Sequence, residues 1–141
     1  TVVGKNPPPA MIEAAKSRRL NWRFTGYVDD IRDHTKGAAF VIPLRVGGGT
    51  RIKAYEAMAM GLPVVSTARG VEGLPVADGE HYLEADDARS FANAALRLLG
   101  DPALRRGLAQ NARRLVEENF SHRAAAKAFE QNCLAILEMA R

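Results

Sequence analysis

A run of three glycines followed by basic residues and a lone carboxylate is the part of this sequence best suited to chemistry. It lies in VGGGTRIKAYEAMAMGLPVVST, residues 46–67, where Arg51 and Lys53 follow the glycines and Glu56 comes next. Glycines let the backbone approach a ligand closely, and the free N–H groups at a helix start favour an anion. The pattern predicts an anion-binding loop before a helix. The simpler alternative is a glycine-rich turn with two solvated cations.

Each of the three charged side chains has a chemical role in this prediction. Arg51 and Lys53 would bring mobile positive charge beside the anion. Glu56 lies among mostly core-like residues. Its carboxylate would accept hydrogen bonds from two vicinal hydroxyls, as a carboxylate does for ribose in dinucleotide-binding folds. The alternative for Glu56 is a solvated acid on an amphipathic helix, where most glutamates lie.

Alternating strand and helix candidates predict the scaffold that positions this loop. The strand candidates are TVVGK (1–5), RFTGYV (23–28), AAFVIPL (38–44), PVVST (63–67) and HYLE (81–84). Helical segments fit between them at about 9–20, 29–36 and 51–60. The third and fourth strands are nearly continuous apolar runs, which is typical of parallel strands covered on both faces. The order predicts an α/β, mostly parallel, doubly wound sheet with the glycine loop at the carboxyl end of a strand, where such sheets bind ligands.

The remainder of the chain predicts helices. Residues 88–99 form one candidate, and a second begins with Asp101 as N-cap and Pro102 at the first helical position. A third starts at Ser121 and has an apolar stripe at helical spacing. The stripe consists of Phe129, Cys133, Ile136 and Leu137. Since a free cysteine behaves as a small hydrophobe, Cys133 is predicted to pack in the core.

The composition is that of a globular domain. The chain has 141 residues, of which 47% are hydrophobic and 26% charged, enough for one domain with a sizeable core. Its longest apolar run, residues 38–44, is too short to span a membrane, and the start does not resemble a secretory leader. A single cysteine excludes an internal disulfide and favours a cytoplasmic protein.

The charge is uneven, because residues 1–60 carry +5 and residues 61–141 carry −1. A basic half can steer anions toward a site. Basic residues do not alternate with aromatic ones, so nucleic acid is not a predicted partner. The three histidines, His34, His81 and His122, are isolated from other ligand types, and no metal site is predicted.

Beyond these patterns, PLRVGGGTRIKAYEAMAMGLPVVST resembles the signature of the family 4 glycosyltransferases, also called glycosyl transferases group 1. These are retaining enzymes with a two-domain, B-type fold that use nucleotide sugars. The preceding RFTGYVDDIRDHTKGAAFVIPL and the following ADGEHYLEADDARSFANAALRLLGDPALRRGLAQNARRLVEENFS also resemble the family. The resemblance implies a Rossmann-like three-layer sandwich with a mostly parallel sheet and a helical C-terminal part.

The resemblance also implies roles for individual residues. Glu56 matches the second acid of a paired-glutamate motif, which binds the ribose hydroxyls of the nucleotide. The stretch whose backbone N–H groups meet the diphosphate and sugar matches Gly49, Thr50, Arg51 and Ile52. Gly48 and Lys53, on either side of it, complete the expected nucleotide-sugar site, in which Arg51 and Lys53 would offset the charge of the leaving group. The segment beside the base matches Gly26, Tyr27 and Val28. The helix from Ser121 is similar to one that crosses toward the other domain, and no cofactor or metal is implied.

Two departures from the family pattern stand out. The first glutamate of the paired motif would lie eight positions before Glu56, where this chain has Gly48. The chain also starts at the family's second strand, so the expected domain is residues 1–141, a C-terminal donor-nucleotide-binding domain truncated on its N-terminal side. The first strand and the N-terminal acceptor domain are expected in a longer parent chain, and the isolated piece is expected to be inactive.

The implied function is transfer of a sugar from a nucleoside diphosphate sugar to a saccharide or lipid-linked acceptor, in bacterial polysaccharide or glycoconjugate biosynthesis. The expected partners are that donor and the acceptor domain of the same chain. Through the latter the cytoplasmic protein would contact the membrane. A non-catalytic nucleotide-binding or interaction module and a sugar-nucleotide epimerase of similar fold remain alternatives.

Overall fold

The computed structural model describes residues 1–139. The chain divides after Ala38 into two compact units, Thr1–Ala38 and Ala39–Arg141. Each unit is described by itself below. Within residues 1–139, no helix combines the length and the apolar character that crossing a bilayer requires.

The first unit pairs two extended segments beside one helix. The segments meet at a single parallel bridge between Val2 and Phe24. The flanking hydrogen bonds run from the Val2 N–H to the Arg23 carbonyl and from the Thr25 N–H to the Val2 carbonyl. The predicted strands 1–5 and 23–28 are therefore correctly placed and parallel, but much shorter than predicted.

Both helices of the first unit begin at residues that are typical of helix N-termini. Helix α1 spans Pro9–Ser17, with proline in its first turn, and stops before the predicted residue 20. A 3-10 helix follows at Ile31–His34, and its N-cap Asp30 accepts a hydrogen bond from the Arg32 N–H. Because Arg32 also donates side-chain hydrogen bonds to this carboxylate, the pKa of Asp30 is lowered to about 2.

The second unit contains a parallel three-stranded sheet. Its strands are β1 (Phe40–Ile42), β2 (Val64–Ser66) and β3 (Leu83–Glu84), in the order β1-β2-β3. Helix α2 (Ile52–Ala59) connects β1 to β2, and three helices follow β3. These are α3 (Ala88–Gly100), α4 (Pro102–Asn119) and α5 (His122–Met139). The predicted α/β class with a helical C-terminal part is confirmed.

The central strand β2 is buried on both sides of the sheet, as its unbroken apolar sequence predicts. On one side Val64 packs with Met58 of α2 and Ala112 of α4. On the other side Val65 packs with Leu98 of α3 and Leu108 of α4. The first of these cores includes Ala54, Ala57 and Met58, so it fixes α2 on the sheet and with it the end of the loop that precedes the helix.

The predicted helix starts of α3 and α4 have side-chain caps. The Asp101 carboxylate accepts hydrogen bonds from the N–H groups of Ala103 and Leu104, with Pro102 in the first turn, so that prediction is confirmed. Asp87 caps α3 and forms a capping box with Ser90. The pKa of Asp87 is lowered because Ser90 and the first backbone N–H groups of the helix donate to its carboxylate.

Helix α5 differs from the prediction. Among its described residues none is buried, and Cys133 is exposed. Phe129 of the predicted stripe is 72% exposed. The prediction that Cys133 packs in the core is therefore wrong for this chain. Helical periodicity shows which side chains share a face, but it does not show whether another element covers that face.

Candidate functional site

The glycine loop lies where the sequence predicts, between the carboxyl end of β1 and the start of α2. Since β1, β2 and β3 are parallel, the loops that follow them leave the same edge of the sheet. The loop after β1 is residues 43–51, and the loop after β2 is residues 67–82, which includes a 3-10 helix at Ala68–Gly70. Residues from these two loops form the site.

The backbone of the glycine loop is exposed and carries unused donors. Gly49 has φ +84°, a left-handed conformation that favours glycine, whereas Gly48 has no such requirement and has open space around its Cα. Among the hydrogen bonds of residues 1–139, none uses the N–H of Gly48, Gly49 or Thr50 as a donor. These N–H groups are therefore free to bind an anion from solvent.

Arg51 is not the mobile surface cation that the sequence predicts. The residue is only 8% exposed, and its guanidinium folds back under the loop that precedes it. Nη1 donates to the Gly49 carbonyl at 3.2 Å, and Nη2 donates to the Gly47 carbonyl at 3.3 Å. Nη2 also donates to Glu72 Oε2 at 2.9 Å, while Nε is buried without a hydrogen-bond partner in the described part of the chain.

Glu72 joins two arginines at this edge of the sheet. Besides Arg51, its carboxylate accepts hydrogen bonds at 2.8 and 2.9 Å from Nη1 of Arg69. The pKa of Glu72 is lowered, chiefly by the Arg69 hydrogen bond and then by the charge of Arg69 and the contact with Arg51. Sequence reasoning missed this pairing, because no local pattern relates residues 21 positions apart.

Thr67 provides a second tie between the two loops. Its buried hydroxyl donates to the Leu44 carbonyl at 2.6 Å and accepts a hydrogen bond from the Gly70 N–H at 3.1 Å. The first bond holds the chain where it leaves β1, and the second closes the turn after β2. The two loops are thus fixed to each other at both Thr67 and Glu72.

On helix α2, the predicted ligand-binding side chains face solvent. Ala54, Ala57 and Met58 are the buried residues of this helix. Ile52 is exposed. Lys53 and Glu56 are also exposed, and since they are three residues apart they lie on the same helix face. No ion pair within residues 1–139 involves either of them. Both charged groups are therefore available to a ligand at the start of α2.

The remaining predicted residues, Gly26, Tyr27 and Val28, lie in the first unit. Gly26 has φ +70°, and its carbonyl accepts a hydrogen bond from the Gly4 N–H at 3.0 Å. Tyr27 is 65% exposed, with the Lys5 ammonium 4.5 Å from the centre of its ring. This cation–π contact was not predicted from the sequence.

A shallow groove of about 300 Å³ lies beside the loops of the second unit. It is lined by Pro43, Arg45, Thr67, Asp86, Asp87, Ala88, Phe91 and Ala92. One carboxylate oxygen of Asp86, Oδ1, accepts a hydrogen bond from the Ala68 N–H at 2.9 Å. Among residues 1–139 there is no group of three or more His, Cys, Asp or Glu side chains able to hold a metal ion.

Comparisons with known proteins identify relatives of the chain. The sequence model of the family described as Glycosyl transferases group 1 matches residues 1–101. A sucrose-phosphate synthase from Thermosynechococcus elongatus is similar in structure, with a TM-score of 0.78 and 28% identity over 97% of this chain. The match covers 38% of that synthase, so the chain spans well under half of its length. No curated protein sequence matches the chain.

A second solved structure supports the fold. It is the C-terminal domain of a glycosyl transferase group 1 family protein from Francisella tularensis. The TM-score is 0.66 with 24% identity, over 80% of this chain and 62% of that one. Together the two likenesses confirm the Rossmann-like α/β fold that the sequence predicts.

Proposed function

The chain belongs to the glycosyl transferases group 1 family, and we propose on that basis that it is a donor-binding domain. The parent enzyme would transfer a sugar from a nucleoside diphosphate sugar to a saccharide or lipid-linked acceptor. One observation supports the proposal more strongly than any other. An exposed glycine loop with unused N–H groups leads into a helix that presents Lys53 and Glu56 to solvent. A diphosphate and a ribose need donors and a carboxylate of this kind.

The proposed roles follow from the chemistry of each group. The backbone N–H groups of Gly48, Gly49 and Thr50 bind the diphosphate, aided by the N-terminal end of the α2 dipole. Lys53 offsets the charge that develops on the leaving diphosphate. Glu56 accepts hydrogen bonds from the 2′- and 3′-hydroxyls of the ribose. Lys53 and Glu56 are three residues apart, a rise of about 4.5 Å along the helix, so the two charged groups lie on one helix face within one turn of each other.

Further parts of the proposal concern the whole protein. We propose that residues 1–141 work with an acceptor domain of the same chain. The 141-residue chain by itself would bind donor without transferring sugar, because a transfer site needs both substrates. Polysaccharide or glycoconjugate biosynthesis is the process in which we place the parent enzyme.

Nucleotide titration followed by NMR tests the donor site directly. Uridine, guanosine, adenosine and thymidine diphosphates are added separately to the ¹⁵N-labelled chain. We expect saturable shifts of the amides of residues 48–53 and 56, largest for one nucleotide. A folded sample in which no nucleotide shifts these amides would overturn the proposal.

The role of Glu56 has a sharper test, with the best-binding ribonucleoside diphosphate and its 2′-deoxy analogue. The wild-type chain should prefer the ribonucleotide, and Glu56→Gln should lose affinity about tenfold together with most of that preference, since hydrogen bonds to charged groups contribute about 1.5–3 kcal/mol. Glu118→Gln, which changes an exposed acid on α4, is the matched control. It should change neither the nucleotide affinity nor the preference for the ribonucleotide. An unchanged preference in Glu56→Gln would remove Glu56 from the ribose site.

A further inference from the structure

We propose that Arg51 is a positioning residue: through hydrogen bonds to two loop carbonyls, and anchored by Glu72, it aims the N–H groups of Gly48 and Thr50 at the ligand. This inference rests on the proposed donor site and names how that site is shaped. It gives Arg51 a role different from direct contact with a diphosphate.

The first step is that the trans peptide geometry sets the direction of two N–H groups of the loop. In a trans peptide the C=O and the N–H of one unit point in opposite directions. No cis peptide occurs in the described part of the chain. Because Arg51 holds the Gly47 carbonyl, the Gly48 N–H of the same unit points away from the buried guanidinium. The Gly49 carbonyl is held likewise, so the Thr50 N–H points away as well.

The second step is that these two N–H groups face the exposed side of the loop. Gly48 and Thr50 are exposed, and within residues 1–139 neither N–H donates to a protein acceptor. Two N–H groups aimed to the same side of a turn form a concave anion site of the kind found in phosphate-binding loops. The guanidinium of Arg51 is buried on the inner face of the loop, and by holding two carbonyls there it keeps the Gly48 and Thr50 N–H groups on the outer face.

The third step is that little of Arg51 is left for a ligand. Its side chain is 6% exposed, whereas that of its partner Glu72 is 53% exposed. A planar guanidinium can bond two carbonyls and a carboxylate at once, but a lysine ammonium cannot match that fork. Arg69 binds the same Glu72 carboxylate from the exposed side and helps to hold it in place.

The test compares loop shape with ligand affinity in Arg51→Lys. Without nucleotide, the amide resonances of Gly48 and Thr50 should move and their hydrogen exchange should change. Affinity for the best-binding nucleoside diphosphate should fall at least tenfold, while affinity for the corresponding nucleoside stays within twofold. Arg97→Lys, at an exposed position of α3, is the matched control and should alter none of these values.

Each outcome decides the inference. If affinity falls while the unliganded amides of Gly48 and Thr50 stay as in the wild type, Arg51 contacts the ligand directly and the proposal is overturned. If the amides move but diphosphate and nucleoside affinities fall together, the effect is a general loss of structure and the positioning role is refuted. If the wild-type chain binds no nucleoside diphosphate, the proposed function fails, and the unliganded amides alone decide whether Arg51 shapes the loop.

A second variant protects the test against misfolding. Glu72→Gln removes the charge of the exposed partner while keeping its size, so it should fold even where Arg51→Lys does not. It should move the same Gly48 and Thr50 amides, because a neutral amide oxygen holds Arg51 less tightly than a carboxylate does. Unchanged amides in a folded Glu72→Gln chain would show that the charge of Glu72 does not hold Arg51 in place.

Discussion

Nη2 of Arg51 lies 2.9 Å from Oε2 of Glu72, although 21 residues separate them in the chain. The pair connects the loop after β1 to the loop after β2. A second bond, from the Thr67 hydroxyl to the Leu44 carbonyl, joins the same two loops. The glycine loop is therefore not a free turn, because two partly buried polar contacts hold it to the loop after β2.

The first prediction concerns acid stability through Glu72. Its pKa is lowered in the folded chain, mainly by Arg69 and then by Arg51. A carboxyl group with a lowered folded pKa stabilises the protein fully above its unfolded pKa of about 4.3. That contribution is lost as the pH falls through the lower folded value. In urea unfolding, Glu72→Gln should therefore lose less stability than the wild type between about pH 5 and pH 3.

A carboxyl-carbon NMR titration provides the control. Arg69→Gln should raise the pKa of Glu72 toward its ordinary value, because Arg69 contributes the largest part of the shift. If the Glu72 resonance titrates at the same pH with and without Arg69, the ion pair seen here does not control the charge of this group.

The second prediction concerns Gly70, which has no room for a side chain. A Cβ at this position would overlap Oγ of Ser66 and lie 2.9 Å from Cγ2 of Ile42. Gly70→Ala should lower the free energy of unfolding by about 1–3 kcal/mol, the usual cost of overpacking. Gly107→Ala, in α4 with nothing within 4 Å of its Cβ, should raise it by about 0.5–1 kcal/mol. Urea denaturation measures both, and equal effects would contradict the packing argument.

The third prediction separates two adjacent loop glycines. Gly49 has φ +84°, which strains any residue with a Cβ, whereas Gly48 has no such φ, and both have open space around them. Gly49→Ala should cost about 1–2 kcal/mol of stability or change the loop conformation, and so weaken nucleoside diphosphate binding. Gly48→Ala should leave stability within about 0.5 kcal/mol and serves as the matched comparison. Calorimetric titration and urea unfolding of both variants test this, and a larger effect at Gly48 would refute it.

Features that depend only on neighbouring residues could be predicted from the sequence. The cap at Asp101 is a local hydrogen-bonding event, so its position follows from residue types. The buried strand β2 follows from an unbroken apolar run, and the glycine loop before α2 follows from the position of its glycines. The resemblance to the glycosyl transferases group 1 family also rests on contiguous sequence, since the family model matches residues 1–101.

Other features depend on contacts between residues that are distant in the chain. The direction of the Arg51 side chain depends on Glu72, which the fold brings from a different loop, so residue type alone predicted a solvated cation. The exposure of Cys133 depends on what packs against α5, and the helical pattern cannot contain that information. Local chemistry fixes which conformation a segment adopts. Whether a charged group is buried or free is set by residues distant in the chain, because burial and long-range pairing are properties of the assembled fold.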